Sequence, residues 1–211
     1  MCFVLYGKYR IKVLGIFLDT ETNGLNAQRN KILELAYKVL NVNTGALVAE
    51  FQTIISLTEE EWKTTDASSL LITEFTWEEV ASKGRPKEVV AKEILESFKE
   101  LGVERGKAVF ICQNPSFDRA FFAQIINPDI QEKLNWPYHW LDLASMYWAE
   151  SIRKAAFDKE AFPWKTGFSK DKIAAACHLP PENKPHRAMN GVNHLLLCYE
   201  SVVGFPLLEK V

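Results

Sequence analysis

From Val13 to Asp19 the chain reads VLGIFLD, an apolar run with no polar alternation that ends on an acid. A strand with one wet face alternates; a short unbroken apolar run is what a strand covered on both faces looks like. Such a strand needs packed layers on either side. A chain of 211 residues is long enough to supply them around one core, so a single domain spanning 1–211 is expected.

The rest of the pattern supports this architecture. Ile32–Asn41 (ILELAYKVLN) and Leu47–Ile55 (LVAEFQTII) alternate better, and the N-V-N-T-G turn between them predicts an antiparallel hairpin. Lys87–Leu101 carries Val89, Val90, Ile94, Leu95 and Phe98 at helical spacing, with Pro86 in its first turn and Gly102 at its end. Ala108–Cys112 (AVFIC) reads as a second buried strand. Ser116–Ile126 reads as a helix with Ser116 as N-cap. Tyr138–Leu141 is expected to be a short strand, with helices over Leu143–Ala156, Ser169–Cys177 (capped by Ser169) and Ala188–Val203. Three strands followed by alternating helix and strand predict an α/β fold, a mixed sheet with helices on both faces. The acidic stretch from Thr58 to Arg85, with Trp62 and Trp77, shows no periodicity that assigns it a structure.

Charge separates along the chain. Residues 58–100 hold eleven acids against six Lys/Arg, whereas 153–187 hold eight Lys/Arg against four acids. The second stretch is either a solvated surface or a face for a phosphate backbone. No run of about 20 apolar residues is present, so no membrane span is expected. The apolar start is interrupted by Lys8, Arg10 and Lys12 and lacks a small-residue cleavage site, unlike a secretory leader. Cys2, Cys112, Cys177 and Cys198 form no C-x-x-C pair, which predicts ordinary buried thiols and a cytoplasmic location.

Three segments carry chemistry. Asp19 and Glu21 lie two apart, so on a strand both side chains share one face. Two crowded carboxylates repel unless a cation sits between them, and hard oxygen ligands select magnesium or manganese. The alternative is a solvated acid pair at a strand end. Asp118 stands in the first turn of a helix that follows a buried strand. It is either a complement to the helix dipole or a ligand at the crevice where strands end in an open α/β sheet. His186, in P-P-E-N-K-P-H-R-A-M-N-G, lies in a polar loop before the last helix. It is either a surface residue or a general base with a pKa near neutrality.

Together these strings, LDTETNGL, ICQNPSFDRAFF and HRAMNG, resemble the three motifs of the DEDD superfamily of 3'-5' exonucleases, in its histidine-containing subclass. The resemblance runs from about Ile11 to Val203 and takes in I-L-E-L-A and F-S-K-D-K-I-A. It implies a ribonuclease H-like fold with a central five-stranded mixed sheet. It also implies two-ion hydrolysis of a nucleic-acid 3' end, the ions, Mg2+ or Mn2+, about 4 Å apart across the scissile phosphate. Carried over, Asp19 would bridge both ions, Glu21 would bind the ion that helps generate hydroxide, Asp118 would assist the other, and His186 would take the proton from water. Thr20, Asn23, Gly24 and Leu25 would contact the terminal nucleotide, Leu25 as a wedge, and Phe122 would help line its pocket. The partner implied is a single-stranded 3' end, either DNA or RNA.

The family's last acid falls at position 191, where this chain has Gly. Asn190 cannot replace it, since adjacent helical residues point about 100° apart. A glycine there weakens the helix by about 1 kcal/mol relative to Ala and brings no evident structural benefit. His194, three residues on and on the same helical face, is a candidate replacement ligand. The substitution leaves two readings: an exonuclease with an impaired metal site, or a catalytically silent nucleic-acid-binding module of the same fold.

Overall fold

The computed structural model describes residues 13–158 and 161–206. Cys2 and the apolar start before residue 13 lie outside the described residues. The first strand, β1 (Leu14–Thr22), is buried nearly throughout, as its unbroken apolar run requires. It pairs antiparallel with β2 (Ile32–Asn41), which pairs antiparallel with β3 (Leu47–Ile54). That is the expected hairpin, and Gly45 takes the positive φ of 72° that its turn needs. On the other side β1 runs parallel to β4 (Ala108–Cys112), and β4 runs parallel to β5 (Trp140–Asp142). The result is a five-stranded mixed sheet in the order β3-β2-β1-β4-β5.

Helices cover both faces. The segment left unassigned from sequence folds into three short helices: α1 (Glu59–Trp62), α2 (Ala67–Thr73) and α3 (Trp77–Lys83). Thr58 and Glu61 form a reciprocal capping box at the first of them. These helices gather Phe75 and Val80 around Leu33 of β2 in a small apolar cluster. The long helix α4 (Lys87–Leu101) buries Val90, Ile94 and Phe98, a stripe four residues apart. It ends where Gly102 turns left-handed at φ 70°. That stripe packs with Phe110, Phe121 and Phe122 on one face of the sheet. The other face is covered by α7 (Leu143–Asp158), α9 (Lys170–Ala176) and α10 (Ala188–Val202), through Leu143, Ile173, Val192, Leu195 and Tyr199. Burial of each such side chain contributes about 1.5–3 kcal/mol, so the apolar stripe of α10 holds it rigidly on β1 and β2.

Between these lie α5 (Pro115–Phe122), α6 (Pro128–Lys133) and α8 (Pro163–Thr166). The helix α5 is not capped by Ser116. Its N-cap is Asn114, in the left-handed region at φ 59°, and Pro115 occupies the first turn. Proline fits there because its missing N–H would go unbonded in any case. The Ser116 hydroxyl instead donates to the Asn114 side chain at 2.7 Å. Ser169 is the N-cap of α9 in position, with no side-chain capping bond. Cys112 and Cys198 are buried and unpaired, and Cys177 is half-buried. Among the described residues, no helix is long and apolar enough to cross a membrane.

Candidate active site

β1 and β4 are parallel, so their carboxyl ends open at the same edge of the sheet, where ligand crevices form in α/β folds. A cavity of about 250 Å3 lies there, lined by Asp19, Glu21, Asp118, Lys170, Glu182 and His186 among others. Asp19 and Glu21 share it because they lie two apart on β1. Asp118 enters from the first turn of α5, and the Thr20 hydroxyl donates to its Oδ1 at 2.9 Å. His186 enters from the loop before α10. Five of the residues singled out from sequence, Thr20 among them, therefore meet in one crevice.

The position of His186 depends on contacts far away in sequence. Its backbone N–H donates to the Ile72 carbonyl at 3.2 Å. Next to it, Arg187 pairs with Glu79 at 3.1 Å and lies 3.8 Å over the Phe75 ring. The acidic segment thus clamps this loop from outside the sheet. Buried Glu34, in the I-L-E-L-A string of β2, accepts the first N–H of α10 (Ala188) at 2.8 Å and the Gln52 amide at 2.7 Å. A carboxylate at a helix N-terminus satisfies an otherwise unbonded N–H and complements the dipole.

Crowding makes the acids poor anions without a cation. Burial, then repulsion from Asp19 and Glu182, pushes Glu21 up from 4.5 to about 8. Burial, then repulsion from Asp19, holds Asp118 well above the carboxylate range. Burial also raises Asp19 to about 6, against the pull of the Lys170 ammonium. Carboxylates so placed are a donor set for a hard divalent ion, which would relieve the repulsion. Asp19, Glu21 and Asp118 offer only oxygen donors, the kind a hard divalent ion takes, although among the described residues no group of three or more His, Cys, Asp or Glu is arranged to hold a metal ion.

Lys170 and Glu182 are among the lining residues that the sequence did not single out. Lys170 Nζ lies 3.6 Å from Asp19 Oδ1 and 2.8 Å from Glu182 Oε2. Glu182 Oε1 is buried with no hydrogen-bond partner among the described residues, 3.5 Å from His186 Nδ1. Lys170 sits in the F-S-K-D-K-I-A string of the resemblance and Glu182 in the loop before His186. A carboxylate four residues before the candidate base was the available signal for Glu182.

The remaining candidates fall in different places. Leu25 projects, 83% exposed, beside a second cavity whose lining includes Asn114, Ser116 and Phe117. Phe117 lines both cavities, whereas Phe122 is fully buried against Phe110 and Trp140. Asn23 is also fully buried, its amide donating to the Glu61 carbonyl and the Thr65 hydroxyl at 3.1 Å each. Gly24 packs so tightly that a Cβ would lie 2.3 Å from the side chains of Asn30 and Asp66. His194 is buried, with Nε2 3.0 Å from the Pro180 carbonyl and Nδ1 3.7 Å from Glu182 Oε2, and is not among the residues lining the cavity.

The space beside Gly191 is filled by a neighbouring side chain. An added Cβ would lie 2.0 Å from Asp19 Oδ2, so the Asp19 carboxylate occupies the space that a side chain at 191 would need.

The five-stranded mixed sheet, with acids converging at its strand ends, is a ribonuclease H-like fold. Residues 16–193 match the exonuclease family represented by RNase T, and the chain belongs to that family, within the DEDD superfamily. Exonuclease I superposes with a TM-score of 0.67 at 16% identity, over 93% of this chain and 42% of its own. Escherichia coli exonuclease I in complex with a dT13 oligonucleotide gives 0.67 at 16% identity, over 90% of this chain and 42% of its own. Cell-death related nuclease 4 gives 0.66 at 15% identity, over 90% and 63%. The chain thus spans less than two thirds of the length of each. Among curated proteins, none matches.

Proposed function

We propose that the chain is a metal-dependent 3'-5' exonuclease of the histidine-containing subclass, acting on single-stranded 3' ends. The observation that carries this reading is the convergence of Asp19, Glu21, Asp118 and His186 on one cavity at the ends of parallel strands. Asp19, Glu21 and Asp118 would hold magnesium or manganese, which when bound supplies Lewis-acid activation of water and of the scissile phosphate. His186, held from behind by the Ile72 carbonyl, takes the proton of the attacking water. The Thr20 hydroxyl fixes the rotamer of Asp118. The second cavity, beside exposed Leu25, seats the terminal base, with Phe117 at the junction of base and phosphate. Asn23 and Gly24 act behind this wall, holding its backbone against the acidic segment.

The path of the strand away from the site is marked by aromatic residues. Phe162 and Trp164 stack at 4.4 Å, and Trp148 meets Trp164 at 5.7 Å and Phe168 at 5.3 Å. Phe162, Trp164 and Phe168 are exposed within the basic stretch, and the Phe168 carbonyl accepts from Gln113, a lining residue of the acidic cavity. Exposed rings interleaved with Lys and Arg are the combination that holds single-stranded nucleic acid without sequence preference. The oligonucleotide complex of exonuclease I supports the same partner class.

The second reading, a silent binding module, is favoured by one observation: position 191 offers no carboxylate and an ammonium faces Asp19. Hydrolysis of a short end-labelled oligonucleotide in Mg2+ and in Mn2+ separates the two. Metal-dependent loss of 3' nucleotides that disappears in Asp118→Asn supports the enzyme. Binding without turnover in either metal supports the module.

A further inference from the structure

Around position 191, where two-ion chemistry calls for a fourth acid, this chain places a cation. Lys170 opens α9 and reaches into the acidic cavity with its side chain only 13% exposed. Its ammonium is held at 2.8 Å by Glu182, and it lies 3.6 Å from Asp19 and 3.4 Å from the Gly191 carbonyl. The lysine thus forms a buried ion pair with two carboxylates at once. The two features belong together. Glycine lets the Asp19 carboxylate lie over α10, and in that position Asp19 meets the lysine.

We propose that the Lys170 ammonium takes the place of one of the two divalent ions, so that the site binds a single Mg2+ or Mn2+ on Asp19, Glu21 and Asp118. This rests on the nuclease reading above and concerns how many ions that site holds. The geometry favours it: the ammonium already lies between Asp19 and Glu182, so two of the four carboxylates of the cavity have a cation beside them. A second divalent ion would bring positive charge up against a fixed ammonium, with no carboxylate from position 191 to hold it. Glu182 anchors the lysine through Oε2 and keeps Oε1 free toward His186.

The test is a count of bound Mn2+ by electron paramagnetic resonance, on chelator-stripped full chain with saturating thymidine 5'-monophosphate as the probe for a product nucleotide. The unchanged chain is expected to bind one Mn2+. Lys170→Met should admit a second, its affinity rising by about tenfold or more, and Lys170→Arg, which keeps the charge, should stay at one. Circular dichroism checks that each variant is folded; should Lys170→Met not fold, Lys170→Gln, which also removes the charge, takes its place in the count. Two tightly bound ions in the unchanged chain, or a single ion in folded Lys170→Met, would overturn the inference while leaving the nuclease reading intact. No bound ion, together with no hydrolysis, would overturn both.

Discussion

Replacing Glu21 with Gln keeps the shape of the side chain and removes its charge, which tests whether this site is built under electrostatic strain. Burial, then the neighbouring Asp19 and Glu182, raise the Glu21 pKa from 4.5 to about 8. An acid raised in the folded state contributes full stability below its unfolded pKa and loses it as pH rises through the folded value. For Glu21 the window therefore runs from about pH 4.5 to about pH 8. At 1.36 kcal/mol per pH unit the ionised carboxylate costs the metal-free fold ~5 kcal/mol by the upper end of that window. For a chain of this size that corresponds to roughly 10–20 °C in melting temperature. Thermal melts followed by circular dichroism in chelator should nearly coincide for Glu21→Gln and the unchanged chain at pH 4.5. They should diverge steadily to about pH 8 and then level off, with the variant more stable. Added Mn2+ should then recover most of the deficit in the unchanged chain and little in the variant. Parallel curves across this range would refute the idea that the acids are held in mutual repulsion.

Other outcomes follow from the same geometry. Gly191→Asp alone should not raise the rate of oligonucleotide hydrolysis, because its Cβ would fall 2.0 Å from Asp19 Oδ2 and must displace that carboxylate; a large gain in a simple turnover assay would count against the packing described. Glu34→Ala leaves the buried Ala188 N–H and the Gln52 amide without their acceptor. It should cost about 2–3 kcal/mol in urea unfolding, and a change below 0.5 kcal/mol would rule out the capping role. Arg187→Ala removes the pair with Glu79 and the contact over Phe75; it should lower kcat with little change in KM, and the reverse split would indicate a substrate contact instead. Trp164→Ala should weaken binding of a dT oligonucleotide by about 1–3 kcal/mol in fluorescence anisotropy, while an unchanged affinity would place the strand elsewhere.

What the sequence made legible was what periodicity encodes. The unbroken run of β1, the alternating hairpin and the stripes of α4 and α10 all announce themselves, because burial of one face or two leaves a repeat in the chain. The helices of residues 59–83 left no such repeat, since they bury at most one residue each. The cap of α5 was misjudged because Pro115 moved the helix start back to Asn114. In the site, the acids and His186 were visible as strings. Asn23 and Phe122 were expected at the nucleotide, yet both side chains are fully buried. Which member of an aromatic run faces the cavity depends on helix rotation, and Phe117 takes that place. Lys170, Glu182 and Glu34 act through contacts between distant segments, so the strings that contain them do not by themselves tell what they touch.

The nuclease account stands most directly on one measurement, the product pattern from a single-stranded oligonucleotide labelled at its 5' end, incubated with the chain in Mn2+. The expected result is a ladder that shortens progressively from the 3' end, vanishes in chelator and is abolished in His186→Ala and Asp118→Asn. A ladder unaffected by those substitutions, or none while the oligonucleotide remains bound, would contradict it.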